Sequence, residues 1–533
     1  MEIQVKISQK VARTAAEKQR SEFFRLAVQL MKENQHTLVF EEAGKQLIEN
    51  PDDDEMWNLL GVAAHFAHSV QDAEMAFSRA ISLNPDYREA WTNLATTQAK
   101  QHRLAEALKA YIQALNLKPD AALHSSILFL QQKLEPNPKK LFLFHQEFGK
   151  YYGKKKPYTF KNQLSTSRPL RIGYVSGDFR EHSVAYFIEP VLAHHNHDEF
   201  IIHAFSNSAE DYVTERLKSH CSHWHDVRKL DDNAMLNLVR SLKIDILIDL
   251  SGHTALNRLP VFGMRAAPVQ ASWFGYMGTT GLSEMDYRLT EPSLIPPTKQ
   301  AYYTEELYYL ESNGVWAPPP EARPLSPSPH LSNGHITFGS LNNFDKVSDQ
   351  VLATWAEIMA KIPNAVLVIV AQGAQDPSLQ QRVLPIFEAV GAAERLVFIE
   401  RRPFSQFFEL FEHIDICLDP FPYNGGTTTL HTFWAGIPVV TLAGEDEIQR
   451  AGKLLLQRVG LDDLAAPSRE EYVRTACELA QSSEYLVKLR SELRDRLKAS
   501  PLMNFHTTVK GLEDAYRDMF SRYCQKQLKS RST

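Results

Sequence analysis

The chain has 533 residues, of which 44% are hydrophobic and 23% charged, so extensive disorder is excluded and about three globular domains are expected. Its net charge of −6 provides no general polyanion-binding surface, which argues against nucleic acid as a partner. Four widely spaced cysteines, no apolar run long enough to cross a membrane and no apolar core of a secretory signal together predict a cytoplasmic protein without a disulfide framework or structural zinc site.

A repeat with a period of 34 residues lies near the N-terminus, where WNLLG at 57–61 recurs as WTNLA at 91–95. The same offset relates further pairs: Ala73 and Ala107, Phe77 and Tyr111, Ala80 and Ala114, Leu83 and Leu117, Pro85 and Pro119. A weaker copy precedes them, with Phe23, Leu26, Ala27, Ala43 and Pro51, and a partial copy follows at 125–134. This is the period of the tetratricopeptide repeat, so residues 1–135 are predicted to form a helical solenoid that binds peptides or proteins. An ordinary helical bundle is the alternative.

The next segment, 136–167, is rich in lysine and proline and is predicted to be a helix followed by a linker. From residue 168 to 320, short apolar strands alternate with helices, which predicts a parallel sheet wound on both faces. The strands are expected at 170–176, 200–205, 244–250 and 268–273, and the helices at 186–194, 212–220 and 233–242.

A proline- and serine-rich linker at 321–335 precedes a second strand–helix series over 336–500, and a C-terminal helix is expected within 501–533. The fold class is therefore an α-solenoid followed by α/β, with two Rossmann-like lobes that enclose a cleft. Ligands in such sheets bind beyond the carboxyl ends of the strands. The pairing is typical of nucleotide-sugar glycosyltransferases, although other enzymes share it.

The segment LDPFPYNGGTTT at 418–429 is the richest in potential chemistry. An apolar strand ends in a proline-stiffened turn, and Gly425 and Gly426 then precede the three threonines 427–429 that open a helix. Glycines allow close approach of a ligand, and hydroxyls and free N–H groups at a helix start bind anions, so we expect a diphosphate here. A simple helix cap is the alternative.

A second motif, GSLNNFDK at 339–346, places Lys346 between a strand and a helix, close to the expected phosphate site. A lysine there would neutralise charge on a departing nucleoside diphosphate; a solvated lysine is the alternative.

His182 and His253 each follow an apolar strand and are candidate bases or hydrogen-bond donors, with an ordinary loop histidine as the alternative in each case. The glycine–threonine loop 273–281 could hold phosphate or line the acceptor side.

Together these motifs resemble the O-GlcNAc transferase family, including its bacterial members and the plant SPINDLY branch. The resemblance runs from the repeats through 172–182, 250–254, 268–287 and 338–346 to 418–440. It implies a GT-B arrangement of two lobes and a metal-independent, inverting transfer of GlcNAc from UDP-GlcNAc to protein Ser/Thr hydroxyls, with no cofactor and with acceptor proteins held by the repeats.

The resemblance also implies roles for individual residues. Lys346 contacts the diphosphate and Asn343 lies near the nucleotide. The start of the helix at Gly426, Thr427, Thr428 and Thr429 binds phosphate. His182 and His253 lie on the acceptor and sugar side. Arg450 corresponds to an arginine of the family and is expected among the nucleotide-sugar-binding residues.

The sequence departs from the family pattern at three places. His431 replaces an acidic residue that holds the ribose, Phe407 replaces a histidine, and Met277 replaces a proline. These changes leave open another donor, such as GDP-fucose or UDP-glucose, and an asparagine-directed glucosyltransferase. They also leave open a repeat-based binding scaffold with an inactive transferase domain.

Overall fold

The computed structural model describes residues 15–67, 69–153, 158–319 and 323–532. The chain divides into two compact units, Met1–Leu134 and Glu135–Thr533. The first residues of the predicted repeat domain, and residues 154–157 and 320–322 at the two predicted linkers, lie outside the described part.

The first unit consists of antiparallel helix pairs, as the repeat predicts. Its helices are α1 (Ala15–Lys32), α2 (His36–Glu49), α3 (Asp54–Phe66), α4 (Val70–Leu83), α5 (Arg88–Lys100), α6 (Leu104–Leu117) and α7 (Ala121–Leu134). A Cβ at Gly61 would lie 2.6 Å from the ring of Phe77, so the small residue is required where α3 meets α4. In the weaker first copy Ala27 is buried, but Leu26 is exposed and Phe24, not Phe23, fills the core.

The second unit begins with α8 (Pro138–Tyr152), which Asn137 caps through its side chain. A seven-stranded parallel sheet follows, in the order β3-β2-β1-β4-β5-β6-β7. Its strands are β1 (Leu170–Ser176), β2 (Phe200–Ser206), β3 (His223–Asp226), β4 (Ile246–Asp249), β5 (Val269–Ser272), β6 (Tyr287–Thr290) and β7 (Glu306–Tyr309). The helices of this lobe are α9 (Ala185–His194), α10 (Tyr212–Ser219), α11 (Asp232–Ser241) and α12 (Leu259–Gly263). We call it the N-terminal lobe.

The C-terminal lobe repeats this plan with a six-stranded parallel sheet in the order β10-β9-β8-β11-β12-β13. Its strands are β8 (Thr337–Ser340), β9 (Val366–Ala371), β10 (Leu396–Glu400), β11 (Ile416–Leu418), β12 (Val439–Leu442) and β13 (Ala465–Ala466). Its helices are α13 (His330–Asn333), α14 (Asp349–Lys361), α15 (Pro377–Glu388), α16 (Phe404–Phe407), α17 (Thr427–Trp434), α18 (Glu447–Arg458), α19 (Arg469–Ala480) and α20 (Ser483–Lys498). One short 3-10 turn, Pro297–Tyr302, lies between β6 and β7 of the N-terminal lobe. The others are Phe344–Lys346, Ala393–Arg395, Phe408–His413, Asp462–Leu464 and Pro501–Met503.

The last helix, α21 (Phe505–Ser532), returns to the N-terminal lobe. Leu512, Tyr516 and Phe520 on this helix are buried in the same apolar core as β1 and β2. The C-terminal helix therefore ties the end of the chain to the first lobe, and both sheets have the strand order of a Rossmann-like fold. The predicted fold class is confirmed.

Candidate functional site

The candidate site lies at the carboxyl ends of the two central strands of the C-terminal lobe. β8 and β11 are adjacent and parallel, with Phe338 opposite Ile416. The loop after β8 carries Lys346, and the loop after β11 leads into α17. Two motifs that are about 80 residues apart in the sequence therefore meet at the edge of the sheet where such folds bind ligands.

Lys346 is held against the turn that precedes α17. Its ammonium donates to the backbone carbonyl oxygen of Asn424 at 2.9 Å, and its Nζ lies 4.4 Å from the ring centroid of Tyr423. The 3-10 turn at Phe344–Lys346 begins at Asn343, whose side chain accepts from the Asp345 N–H. Asn343 itself is exposed at this edge.

The start of α17 has the features of an anion-binding site. The residue before it is Gly426, and no side chain caps the helix, so its first N–H groups are available. A Cβ placed on Gly426 would have no atom within 4 Å, which means that the space in front of the helix start is open. Thr427 and Thr428 are half-buried there. The Oγ1 of Thr429 is buried and has no hydrogen-bond partner among the described residues.

Asp419 organises the loop between β11 and α17. Its carboxylate accepts from the Gly425 N–H at 2.7 Å and from the Thr441 hydroxyl at 2.6 Å. Complete burial raises the pKa of Asp419 to about 6, although these hydrogen bonds and the charge of Lys346 oppose the shift. A side chain on Gly425 would collide with Asp419 and Thr429, so the loop has one close-packed arrangement.

His431 lies one turn further along α17 and is only 4% exposed. Aromatic rings from both lobes and from the segment between them surround it: Tyr186, Trp316, Phe407 and Phe408. Burial lowers the pKa of His431 to about 3, so the imidazole is neutral at pH 7. Two of the sequence departures, His431 and Phe407, are thus in contact with each other.

His182 lies in the loop after β1, half-buried, with Asp178 Oδ1 3.7 Å from its Nδ1. The Val184 N–H donates to the same Nδ1 at 3.3 Å, so the neutral ring carries its proton on Nε2. Burial lowers the pKa of His182, and the carboxylate of Asp178 opposes that shift. The ring is therefore a neutral hydrogen-bond donor at pH 7.

His253 has a different environment from the one expected of a catalytic residue. It is 1% exposed, and its Nε2 donates to the carbonyl oxygen of Thr280 at 2.9 Å. Its ring packs against Phe148 of α8 and against Tyr276. This geometry supports a role in holding the loop 275–281 beneath α8 and gives no support to proton transfer.

Two further expectations are corrected by the contacts. Arg450, expected among the nucleotide-sugar-binding residues, donates twice to the backbone carbonyl of Ser293, at 3.1 and 2.9 Å, and so joins the two lobes. Thr279 and Thr280 of the glycine–threonine loop both donate to the buried carboxylate of Glu305, which occupies the hydroxyls that a phosphate would need.

A buried contact between the lobes was not expected from the sequence. Arg288 on β6 forms an ion pair with Glu447, the first residue of α18, and both side chains are nearly inaccessible. The Tyr303 hydroxyl donates to the other oxygen of Glu447 at 3.0 Å. The only sign of this in the sequence is an arginine inside the short apolar segment YRLT, which does not identify a partner 159 residues away.

Within the described residues, no group of three or more His, Cys, Asp or Glu side chains is arranged to hold a metal ion. None of the helices in the described part of the chain has both the length and the apolar character that crossing a bilayer requires.

Sequence and structure comparisons give the relatives of this chain. It is 39% identical over 403 residues to a protein of Arabidopsis thaliana named Probable UDP-N-acetylglucosamine–peptide N-acetylglucosaminyltransferase SPINDLY, and the match covers 73% of this chain and 44% of that protein. The protein of the same name from Oryza sativa subsp. japonica is 40% identical over 397 residues, covering 72% and 43%. The chain thus spans less than half the length of these curated relatives.

A solved structure of a mutant O-GlcNAc transferase from Thermobaculum terrenum superposes with a TM-score of 0.87 at 31% identity, covering 96% of this chain and 99% of that chain. The sequence profile of glycosyl transferase family 41 matches residues 151–315 and 328–512, which include both lobes and every motif of the candidate site. This chain therefore belongs to glycosyl transferase family 41.

Proposed function

We propose that the protein is an inverting glycosyltransferase that moves N-acetylglucosamine from UDP-N-acetylglucosamine to Ser or Thr hydroxyls of proteins. The observation that carries the proposal is the placement of Lys346 against the turn before the uncapped start of α17. A fixed cation and a row of helix N–H groups at one site match the charge of a diphosphate. The names of the relatives supply the donor and the peptide acceptor.

In the proposed reaction, the acceptor oxygen forms a bond to C1 of the sugar as the bond from C1 to the diphosphate oxygen breaks, and the proton of the acceptor hydroxyl is released to solvent. The electron pair leaves with UDP, and attack from the opposite face inverts the configuration at C1. Lys346 and the first turn of α17 stabilise the negative charge that develops on the departing diphosphate. Because these groups supply the positive charge, the proposal includes no metal and no cofactor.

His182 is the candidate for contact with the sugar or acceptor, through its Nε2–H. Its ring is accessible, unlike that of His253, and Asp178 lies close enough to stabilise a second proton on the ring. We assign no catalytic role to His253.

The helical repeats of the first unit are proposed to bind acceptor proteins, because stacked helix pairs present an extended surface to peptides. We also propose a cytoplasmic location, which suits the four free cysteines among the described residues.

The function is tested by incubating the purified chain with UDP-GlcNAc labelled in the sugar and a cell lysate. The wild type is expected to label proteins, and Lys346→Ala is expected to lose the labelling. Equal labelling by both, or by neither, would contradict the proposal.

A different donor is the second candidate, since the aromatic enclosure of His431 puts a neutral ring where the family places an acid that holds the ribose. Thermal unfolding with UDP-GlcNAc, UDP-glucose and GDP-fucose separates these possibilities. A stabilisation by GDP compounds alone would replace the proposed donor. No stabilisation by any of them, together with no transfer, would favour a binding scaffold.

A further inference from the structure

The buried Arg288–Glu447 pair lies two hydrogen bonds from the phosphate-binding lysine. Glu447 opens α18, and the next residue, Ile448, accepts a hydrogen bond from the Asn424 N–H through its carbonyl at 3.0 Å. Asn424 in turn accepts from the ammonium of Lys346 at 2.9 Å. A continuous set of contacts therefore runs from β6 of the N-terminal lobe to Lys346 in the C-terminal lobe.

Asn424 has little freedom within this set of contacts. The residue is 1% exposed, its side-chain amide donates to the Pro420 carbonyl at 3.2 Å, and its Oδ1 accepts from the Gly452 N–H of α18 at 3.4 Å. Asn424 is thus fixed to α18 by both its backbone and its side chain. A movement of the first half of α18 would move the carbonyl that holds Lys346.

Glu447 also interacts electrostatically with Tyr423, the residue before Asn424. Burial raises the pKa of Tyr423, and the carboxylate of Glu447 adds to that shift. The Nζ of Lys346 lies 4.4 Å from the centroid of the same ring. On the N-terminal lobe, Arg288 donates to the Tyr276 carbonyl at 2.7 Å, and Tyr303 donates to Glu447. Two side chains of the N-terminal lobe, Arg288 and Tyr303, therefore hold Glu447 from the side opposite its own lobe.

We propose that the Arg288–Glu447 pair is a positioning element that transmits the placement of the N-terminal lobe, through Asn424 and Tyr423, to Lys346. Neither residue of the pair is assigned a contact with the nucleotide. The inference rests on the proposed function only in that the anion held by Lys346 is a nucleoside diphosphate. Its consequence is that Lys346 is in its binding position only when the lobes are in contact at this pair.

The chain offers a matched control on the same helix. Arg458, the last residue of α18, pairs with Glu291 of the N-terminal lobe, and that glutamate is also nearly buried. This second ion pair joins the same two lobes, but Arg458 is eleven residues further along α18 than Glu447. The hydrogen bonds described above for Asn424 go to Ile448, Gly452, Pro420 and Lys346. Glu291→Gln therefore removes a comparable interlobe charge without touching the route to Lys346.

The test is a double-mutant cycle read by calorimetric titration of the full chain with UDP and, separately, GDP. In the wild-type background, Glu447→Gln is expected to weaken binding of the preferred nucleotide at least about threefold. In the Lys346→Ala background it is expected to have almost no further effect, because coupled contacts are not additive. Glu291→Gln is expected to change the affinity less than about twofold in both backgrounds. Tyr303→Phe, which removes one hydroxyl, is expected to act in the same direction as Glu447→Gln and serves if that variant does not fold.

Equal effects of Glu447→Gln in the two backgrounds, or an effect matched by Glu291→Gln, would overturn the positioning role while leaving the proposed function intact. Binding of neither nucleotide by the wild-type chain would overturn the proposed function and, with it, this inference.

Discussion

The ammonium of Lys346 donates to the backbone carbonyl oxygen of Asn424 at 2.9 Å, although the two residues are 78 positions apart. They reach each other because β8 and β11 are neighbours in the parallel sheet and each is followed by a loop at its carboxyl end. The carbonyl oxygen accepts a hydrogen bond without cancelling the charge of the lysine. The contact therefore keeps a full positive charge beside the start of α17, as a site for a diphosphate requires.

Loss of the lysine should affect ligand binding and transfer much more than folding. Lys346→Ala removes the cation that is proposed to face the diphosphate, and we expect transfer to fall by about 100-fold or more, the usual cost of deleting one group that stabilises developing charge. Lys361→Ala, at an exposed lysine paired with Glu357 on α14, is the matched control and should retain wild-type rates. Initial rates with labelled donor and thermal unfolding of both variants provide the measurement. A parallel loss of rate in both variants would contradict the assignment.

Introducing an acid at Gly426 should have opposite effects on stability and on binding. Aspartate is a favourable residue before a helix, so Gly426→Asp should stabilise the start of α17 by a few tenths of a kcal/mol. The open space at this position leaves room for the side chain. The carboxylate would then occupy the anion site, and UDP binding should be lost.

Gly426→Asn provides the control for that experiment, because its side chain caps the helix without a negative charge. It should retain more affinity for UDP than Gly426→Asp. Unchanged UDP affinity in Gly426→Asp, measured by calorimetric titration, would show that the diphosphate lies elsewhere.

The enclosure of His431 predicts a specific loss of stability in acid. The pKa of His431 is lowered to about 3 in the folded protein, whereas an unfolded histidine has a pKa of about 6.5. Below pH 6.5 the unfolded state takes up a proton that the folded state does not, so stability falls as the pH falls from 6.5 towards 3. Between pH 7 and pH 5, His431 is therefore expected to lower the free energy of unfolding by about 2 kcal/mol.

His431→Phe keeps an aromatic ring and removes this titration. Urea unfolding at pH 7 and pH 5 should therefore show a smaller decrease in unfolding free energy for His431→Phe than for the wild type. His506→Phe, at an exposed histidine of α21, should behave like the wild type. If the decrease is the same for His431→Phe and the wild type, the buried neutral state of His431 is wrong.

Removal of the helical repeats should separate donor binding from acceptor choice. Residues 135–533 form their own compact unit and contain both lobes. We expect this fragment to fold and to bind UDP as tightly as the full chain, but to transfer sugar to lysate proteins at least about tenfold more slowly, because the repeats are proposed to hold the acceptor. Equal labelling of proteins by the fragment and by the full chain would contradict a role of the repeats in acceptor binding.

The periodic parts of the fold could be predicted from the sequence. The 34-residue repeat gives the helical pairs of the first unit, and the apolar strand at Leu170–Ser176 was predicted with its observed bounds. The strands β3, β6 and β7 of the N-terminal lobe and β13 of the C-terminal lobe were missed. β3 has the sequence HWHD at the edge of the sheet, and β6 contains the charged Arg288. An edge strand does not need to be apolar. An internal strand that carries one partner of a buried ion pair, as β6 does, lacks the continuous apolar pattern by which buried strands are recognised.

The residues of the candidate site that belong to one continuous segment could be predicted from the sequence. The contacts between segments that are distant in the sequence could not. The glycines and threonines before α17 share a single local pattern, and Lys346 follows a strand, so both could be identified. The partner of a buried side chain cannot be read from local sequence. His253 was therefore taken as a candidate catalytic residue although α8 covers it, and Arg450 was placed among the nucleotide-sugar-binding residues although it donates to Ser293 of the other lobe.

The most direct test of the central claim is a crystal structure of the chain with bound UDP. We expect the diphosphate within hydrogen-bond distance of the Lys346 ammonium and of the N–H groups of Thr427 and Thr428, in the open space beside Gly426. A diphosphate bound away from both Lys346 and the start of α17 would contradict the account.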